Sequence, residues 1–130
     1  MAGKTVGEHM TPVAYSVGDD QTLAEVGFRM QELDVRHLPV MRGSKLVGIV
    51  SERDVALLKA RTNAHLDELR VSDAMTRDPY RVASSTPLAD VARVMAEHRY
   101  GAVVIVDDDL LRGIFTTTDG MRVLAELAAG

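Results

Sequence analysis

Cysteine is absent from this 130-residue chain, which excludes disulfides, thiolate nucleophiles and zinc–thiolate sites. Basic runs are absent too. With a formal charge of −4 and a pI near 5.5, the chain offers no stripe of lysine and arginine to a nucleic-acid backbone. Long apolar runs are missing: Ala102 to Val106, the longest wholly apolar stretch of the second half, is far too short to span a bilayer. Met1-Ala2-Gly3-Lys4-Thr5-Val6 lacks the apolar core of a secretory signal. His9, His37, His65 and His98 have no metal-ligand spacing, and Asp107-Asp108-Asp109 lacks the spaced oxygens of a calcium loop. No glycine-rich phosphate loop, nucleophile elbow or Ser–His–Asp spacing occurs. These absences predict a soluble, cytoplasmic protein with no enzymatic activity, metal, required cofactor, nucleic-acid partner or membrane partner.

What is present is ordinary in bulk, with 46% hydrophobic and 26% charged residues typical of a globular chain. The order is not ordinary, because the chain says the same thing twice at a constant offset of 65 residues. Val6-Gly7-Glu8-His9-Met10-Thr11 returns as Val71-Ser72-Asp73-Ala74-Met75-Thr76, and Tyr15 and Val17 return as Tyr80 and Val82. Leu23, Val26 and Met30 return as Leu88, Val91 and Met95; Leu46, Gly48, Ile49 and Asp54 return as Leu111, Gly113, Ile114 and Asp119. One offset throughout means one duplicated unit, with repeats at 6–65 and 66–130. A unit of about 60 residues is marginal alone, and two copies are too few for a solenoid. The expected arrangement is a pseudo-symmetric pair with a cleft between the repeats.

Each repeat alternates helix and strand signals. Thr22 and Glu25 form a capping box, and Leu23, Val26, Met30 and Leu33 follow as one apolar helical stripe. Leu38 to Met41 and Leu46 to Val50 flank the turn signal Arg42-Gly43-Ser44 and read as a β-hairpin, followed by a helix over 52–60. In the second repeat Thr86 is expected at the N-cap with Pro87 at the first helical position. Leu88, Val91, Ala92 and Met95 supply the stripe, Ala102 to Val106 and Leu110 to Phe115 the hairpin around the aspartates, and 119–128 the last helix. Residues 63–69 read as a linker, and the methionines fall mostly at core positions. The class is α/β (α+β), with a βαββα order in each repeat.

That duplicated order resembles the cystathionine-β-synthase (CBS) domain pair, or Bateman module, over essentially the whole chain. The resemblance rests on Met10-Thr11 and Met75-Thr76, on His37-Leu38-Pro39-Val40, and on Gly48-Ile49-Val50-Ser51-Glu52-Arg53-Asp54 recurring as Gly113-Ile114-Phe115-Thr116-Thr117-Thr118-Asp119. It implies a regulatory module that binds an adenosine-containing ligand, such as AMP, ADP or ATP, in the cleft between repeats. It also implies a homodimer and an effector protein that reads the conformational change. The alternative is a dimerisation or protein-interaction module whose cleft binds nothing.

Two readings apply to Ser51-x-x-Asp54 and Thr116-x-x-Asp119. Both are capping boxes that satisfy orphan N–H groups, and both put donors and positive potential where a phosphate or sugar edge could sit. In the resembled family the aspartate contacts ribose and the hydroxyl lies beside the sugar-phosphate, which implies ribose contacts for Asp54 and Asp119. Ser51, Thr116 and Thr118 would lie by the sugar-phosphate. Arg36 and His37 are either a solvated pair at a strand entrance or phosphate donors. With Arg53 they bias the first repeat toward phosphate, since Gly101-Ala102 and neutral Thr118 stand at the matching places. For the adenine ring the family pattern implies Val13, Ala14, Tyr15, Asp78, Pro79 and Tyr80 in the lead-ins, with Val40 and Val103 as walls. Tyr15 and Tyr80 read equally well as core residues with their hydroxyls outward.

Overall fold

Both expected hairpins form, and each recruits sheet partners from the two sequence repeats. The computed structural model describes residues 4–13 and 15–130. The first elements are β1 (Thr11–Pro12), β2 (Val17–Gly18), α1 (Leu23–Leu33), β3 (His37–Arg42), β4 (Lys45–Ser51) and α2 (Glu52–Arg61). They are followed by α3 (Val71–Ala74), β5 (Thr76–Arg77), β6 (Arg81–Val82), α4 (Leu88–His98), β7 (Ala102–Asp107), β8 (Leu110–Thr116) and α5 (Thr117–Ala129). One four-stranded sheet has the order β2-β3-β4-β5 and the other β1-β8-β7-β6. None of the helices is long and apolar enough to cross a membrane, among the described residues.

The compact units are cut differently from the sequence repeats. One contains Tyr15–Pro79; the other contains 4–13 with Tyr80–Gly130. Their difference is the Met-Thr lead-in. In the first unit β5 of the second lead-in pairs antiparallel with β4, Thr76 opposite Ile49 and Arg77 opposite Gly48. In the other, β1 of the first lead-in pairs antiparallel with β8, Thr11 opposite Ile114 and Pro12 opposite Gly113. Each hairpin is thus completed at one edge by a strand from the other repeat. At the opposite edge β2 lies parallel to β3, and β6 lies parallel to β7.

The helices begin largely as their sequences dictate. Thr22 Oγ1 accepts from the Glu25 N–H at 3.2 Å while the Glu25 carboxylate accepts from the Thr22 N–H at 3.2 Å. α4 departs from expectation. It starts at Leu88 with Pro87 at the N-cap and no side-chain cap, so Thr86 does not play that part. The reason is the repeat register, which puts Pro87, a residue with no side-chain acceptor, where Thr22 stands in the first repeat. The Leu88 N–H donates to the Lys4 carbonyl at 2.8 Å. α1 receives the same help from the supposed linker, since the Leu23 N–H donates to the Leu69 carbonyl at 2.9 Å. Leu66 and Leu69 also pack on the first core, so 63–69 is structural.

Leu23, Val26 and Met30 of α1 pack with Leu38, Val40, Val50, Val55, Val71 and Met75. Val91 and Met95 of α4 pack with Val6, Val103, Ile105, Phe115 and Val123. Each such side chain contributes roughly 1.5–3 kcal/mol by burial. At the hairpin ends the two units solve one joint with different chemistry. The Arg42 guanidinium meets the Asp19 carboxylate at 2.6 Å, whereas Asp107 accepts from the Ser84 N–H at 2.9 Å and its hydroxyl at 2.6 Å. The Ser84 bonds hold the Asp107 carboxyl below the usual carboxylate range. Asp108 and Asp109 both take positive φ, 50° and 63°, as a two-residue hairpin turn demands. The aspartate run therefore makes a turn.

Two glycines let the exchanged strands close. A Cβ on Gly48 would stand 2.7 Å from Met75 Sδ and 2.8 Å from the Thr76 carbonyl oxygen. A Cβ on Gly113 would stand 2.5 Å from Met10 Sδ and 2.8 Å from the Thr11 carbonyl oxygen. The methionine could yield, but the carbonyl belongs to the edge strand itself. We expect Gly48→Ala and Gly113→Ala each to destabilise by about 1–3 kcal/mol in urea unfolding. Gly27→Ala, inside α1 with open space around it, should stabilise by about 0.5–1 kcal/mol; equal effects at all three positions would contradict the close-approach explanation.

Candidate functional site

The start of α2 is where the sequence concentrated its candidates. Ser51 ends β4 and caps the helix: its Oγ accepts from the Asp54 N–H at 3.0 Å, and Asp54 Oδ2 accepts from the Ser51 N–H at 2.9 Å. The strand register sets His37 opposite Ser51, and the Glu52 N–H donates to the Arg36 carbonyl at 2.9 Å. Arg36, His37, Ser51 and Asp54 are thereby brought together at one helix end. One carboxylate oxygen closes the capping box; Asp54 Oδ1 accepts no hydrogen bond among the described residues. His37 is partly buried, and burial pushes its pKa below the ordinary histidine value, opposed by the Asp54 charge and reinforced by Arg36. Arg36 is exposed, with only a loose 3.9 Å approach to Glu52. Arg53 is exposed on the first turn of α2.

The start of α5 repeats the capping box and then departs from it. Thr116 Oγ1 accepts from the Asp119 N–H at 3.2 Å, and Asp119 Oδ2 accepts from the Thr116 N–H at 2.9 Å and lies 3.1 Å from its hydroxyl. Asp119 Oδ1 is engaged as well. It accepts from the Thr11 hydroxyl at 3.0 Å and from the Arg122 guanidinium at 2.8 Å. Asp119 is only 4% exposed. Thr118 is exposed and faces no charge partner of this kind. Sequence reasoning passed over both Thr11 and Arg122. Arg122 was within reach, since it follows Asp119 by one helical turn; Thr11 was not, because it lies 108 residues away.

The residues expected around an adenine ring belong to both compact units. Val40 and Val103 are wholly enclosed in the two cores and offer no surface. Tyr15 is 47% exposed, with the Arg29 guanidinium 5.0 Å from its ring centroid. Tyr80 packs against the second core and lies 5.6 Å from Tyr100, and burial raises its phenol pKa. Pro79 is buried, while Asp78 is exposed at a φ of 47°. Val13 is partly buried, its N–H donating to the Arg112 carbonyl at 3.2 Å, and Ala14 lies outside the described residues. Among the described residues no group of acidic or histidine side chains is placed to hold a metal ion.

Comparison with known proteins gives one consistent family. The model of the CBS domain matches residues 6–60 and again 71–126. The CBS domain-containing protein YhcV of Bacillus subtilis is 28% identical over 115 residues, covering 88% of this chain and 81% of that protein. An uncharacterized protein of Methanocaldococcus jannaschii is 27% identical over 92% of this chain, which spans only 39% of that protein's length. Among solved structures, CBSX2 in complex with AMP superposes with a TM-score of 0.78 at 31% identity, covering 97% of this chain and 99% of that one. AcuB from Vibrio cholerae gives 0.82 at 30% identity, covering 96% and 93%.

His37 makes the α2 site pH-dependent. Its folded pKa lies below the ordinary 6.5, so the unfolded chain binds the proton more readily. Its stabilising contribution is complete above about pH 6.5 and is lost as pH falls through that value toward the folded pKa. Chemical denaturation from neutral to mildly acidic pH should show this loss, and His37→Gln should flatten it; an unchanged slope would remove His37 as its source.

Proposed function

The chain belongs to the CBS domain family through both of its repeats, and we propose that it is a regulatory module binding an adenosine nucleotide at the start of α2. Asp54 accepts from the ribose hydroxyls, and Ser51 lies beside the sugar-phosphate. Arg36 and Arg53 supply charge for the phosphate and His37 a ring N–H, joined by the positive end of the helix. The observation that carries this reading is the Asp54 carboxylate oxygen left over by the capping box, at a helix end shared with Arg36 and His37. It is supported by CBSX2, whose structure was solved with AMP at 31% identity. AMP is therefore the first ligand to test, with ADP and ATP next.

The output of such a module is a shift between arrangements that bind the ligand unequally, read by an effector protein. A second reading is an interaction module, and a specific feature favours it. Met121, Leu124 and Leu127 recur along α5 and are 61%, 55% and 58% exposed. Association of two copies through this stripe gives the homodimer that the family resemblance implied, and it is compatible with ligand binding.

Thermal unfolding against AMP, ADP and ATP, with guanosine and cytidine nucleotides as controls, tests the first reading. AMP at 100 times its Kd adds about 2.7 kcal/mol, several degrees in Tm. Asp54→Asn keeps a capping acceptor but removes the charge, and should weaken AMP by about tenfold to a hundredfold, the worth of a charge-assisted hydrogen bond. A shift equal for all bases, or AMP affinity unchanged in Asp54→Asn, would defeat the ribose assignment. No shift with any nucleotide would leave the interaction module as the function.

A further inference from the structure

We propose that the two aspartate sites are unequal by construction: Thr11 and Arg122 occupy the Asp119 carboxylate from within, so that only the Asp54 site takes a nucleotide. The inference rests on the ribose assignment above and deepens it to a stoichiometry.

An ionised carboxylate has about four lone-pair positions. At Asp119 all are taken, Oδ2 by the Thr116 N–H and hydroxyl, Oδ1 by the Thr11 hydroxyl and Arg122. At Asp54 the carboxylate accepts, among the described residues, one bond, from the Ser51 N–H to Oδ2. The repeat offset identifies one sequence cause, at Arg122. The counterpart of Arg122 is Leu57, which has no donor, and the counterpart of Thr11 is Thr76, which makes no hydrogen bond to Asp54. A vicinal diol needs two acceptor positions on one carboxylate. At Asp54 they are open. At Asp119 a ribose must first displace a charge-assisted bond to a side chain only 5% exposed, where the loss is felt most.

The exchanged lead-in gives this arrangement its second half. Thr11 belongs to β1, which pairs with β8 opposite Ile114 and brings its hydroxyl within 3.0 Å of Asp119. Thr76 shares that register opposite Ile49 without bonding Asp54, so the difference lies in the side chain and not in the strand pairing. Arg122 is 68% exposed in its side chain and anchored only through α5. Arg122 is the partner with no counterpart at the Asp54 site, where Leu57 stands in its place. The polar side chains are distributed accordingly: the start of α2 carries Arg36, His37 and Arg53, while Gly101, Ala102 and Thr118 stand at the matching places of the occupied site.

Calorimetric titration of the full chain with AMP, joined to amide chemical-shift mapping, tests this. The wild type should bind a single AMP per chain, with shifts confined to 36–37 and 51–54 and none at 116–119. The double variant T11V/R122L should gain a second binding event. Adding D54N to that background should remove the first event and keep the second, whereas D54N alone should remove tight binding altogether. Two equivalent events in the wild type, or wild-type shifts centred on 116–119, would overturn the inference while leaving nucleotide binding intact. Absence of AMP binding in every form would overturn it together with the ribose assignment. Shift mapping needs no variant, so a folding defect in T11V/R122L leaves the question decidable.

Discussion

A methionine–threonine strand laid against a hairpin glycine is the contact on which both units depend. Met75 and Thr76 close over Gly48, and Met10 and Thr11 close over Gly113. The glycine removes a Cβ that would collide with the edge strand's own carbonyl, and the methionine fills the space left above the sheet. Because each strand comes from the other repeat, neither sequence repeat completes a sheet from its own residues. The same exchange supplies the backbone carbonyls of Lys4 and Leu69 that cap α4 and α1. Sheet edge, helix start and core anchor arrive on one short segment, with Val6 and Val71 fully buried at its head. A half-chain would expose all three at once, which is the physical content of the marginal stability expected for a unit of about 60 residues.

Local patterns were legible because they are satisfied locally. The capping boxes of α1, α2 and α5 lie within three residues, so Thr22–Glu25, Ser51–Asp54 and Thr116–Asp119 could be read directly. The apolar stripe of α1 and the two hairpins follow periodicity in the same way. The start of α4 was misplaced by one residue because Thr86-Pro87 mimics a local cap, whereas the helix keeps the register of the first repeat and sets Pro87 at the place of Thr22. The short helical turns at Val6–Glu8 and Val71–Ala74 were read only as extended lead-ins, since three or four residues carry no period. The exchange itself was invisible: a perfect repeat looks the same whether each lead-in joins its own hairpin or the other one.

The site was legible in part for the same reason. His37, Ser51 and Asp54 fall at one helix end through hairpin register, which a sequence reading of the β3–β4 pair anticipates. The apolar walls were less legible. A strand buried on both faces presents consecutive apolar residues, as Leu38-Pro39-Val40 and Val103-Val104-Ile105 do, and nothing in that run says which residue faces a ligand. Val40 and Val103 turned into their own cores.

Identical motifs need not give identical sites. Ser51-x-x-Asp54 and Thr116-x-x-Asp119 spend one carboxylate oxygen on the same task, satisfying the N-cap N–H. Capping and ligand binding therefore compete for only part of each aspartate, and function depends on what meets the remaining oxygen. At Asp119 a buried position makes an unengaged oxygen costly, and Thr11 and Arg122 remove that cost. At Asp54 the residue is only partly buried and water can serve the oxygen until something better arrives. Burial at one site and exposure at the other thus select the internal partner and the external one. A duplicated fold can hold one copy of a motif as structure and free the other as a receptor with a single change outside the motif, Arg122 against Leu57.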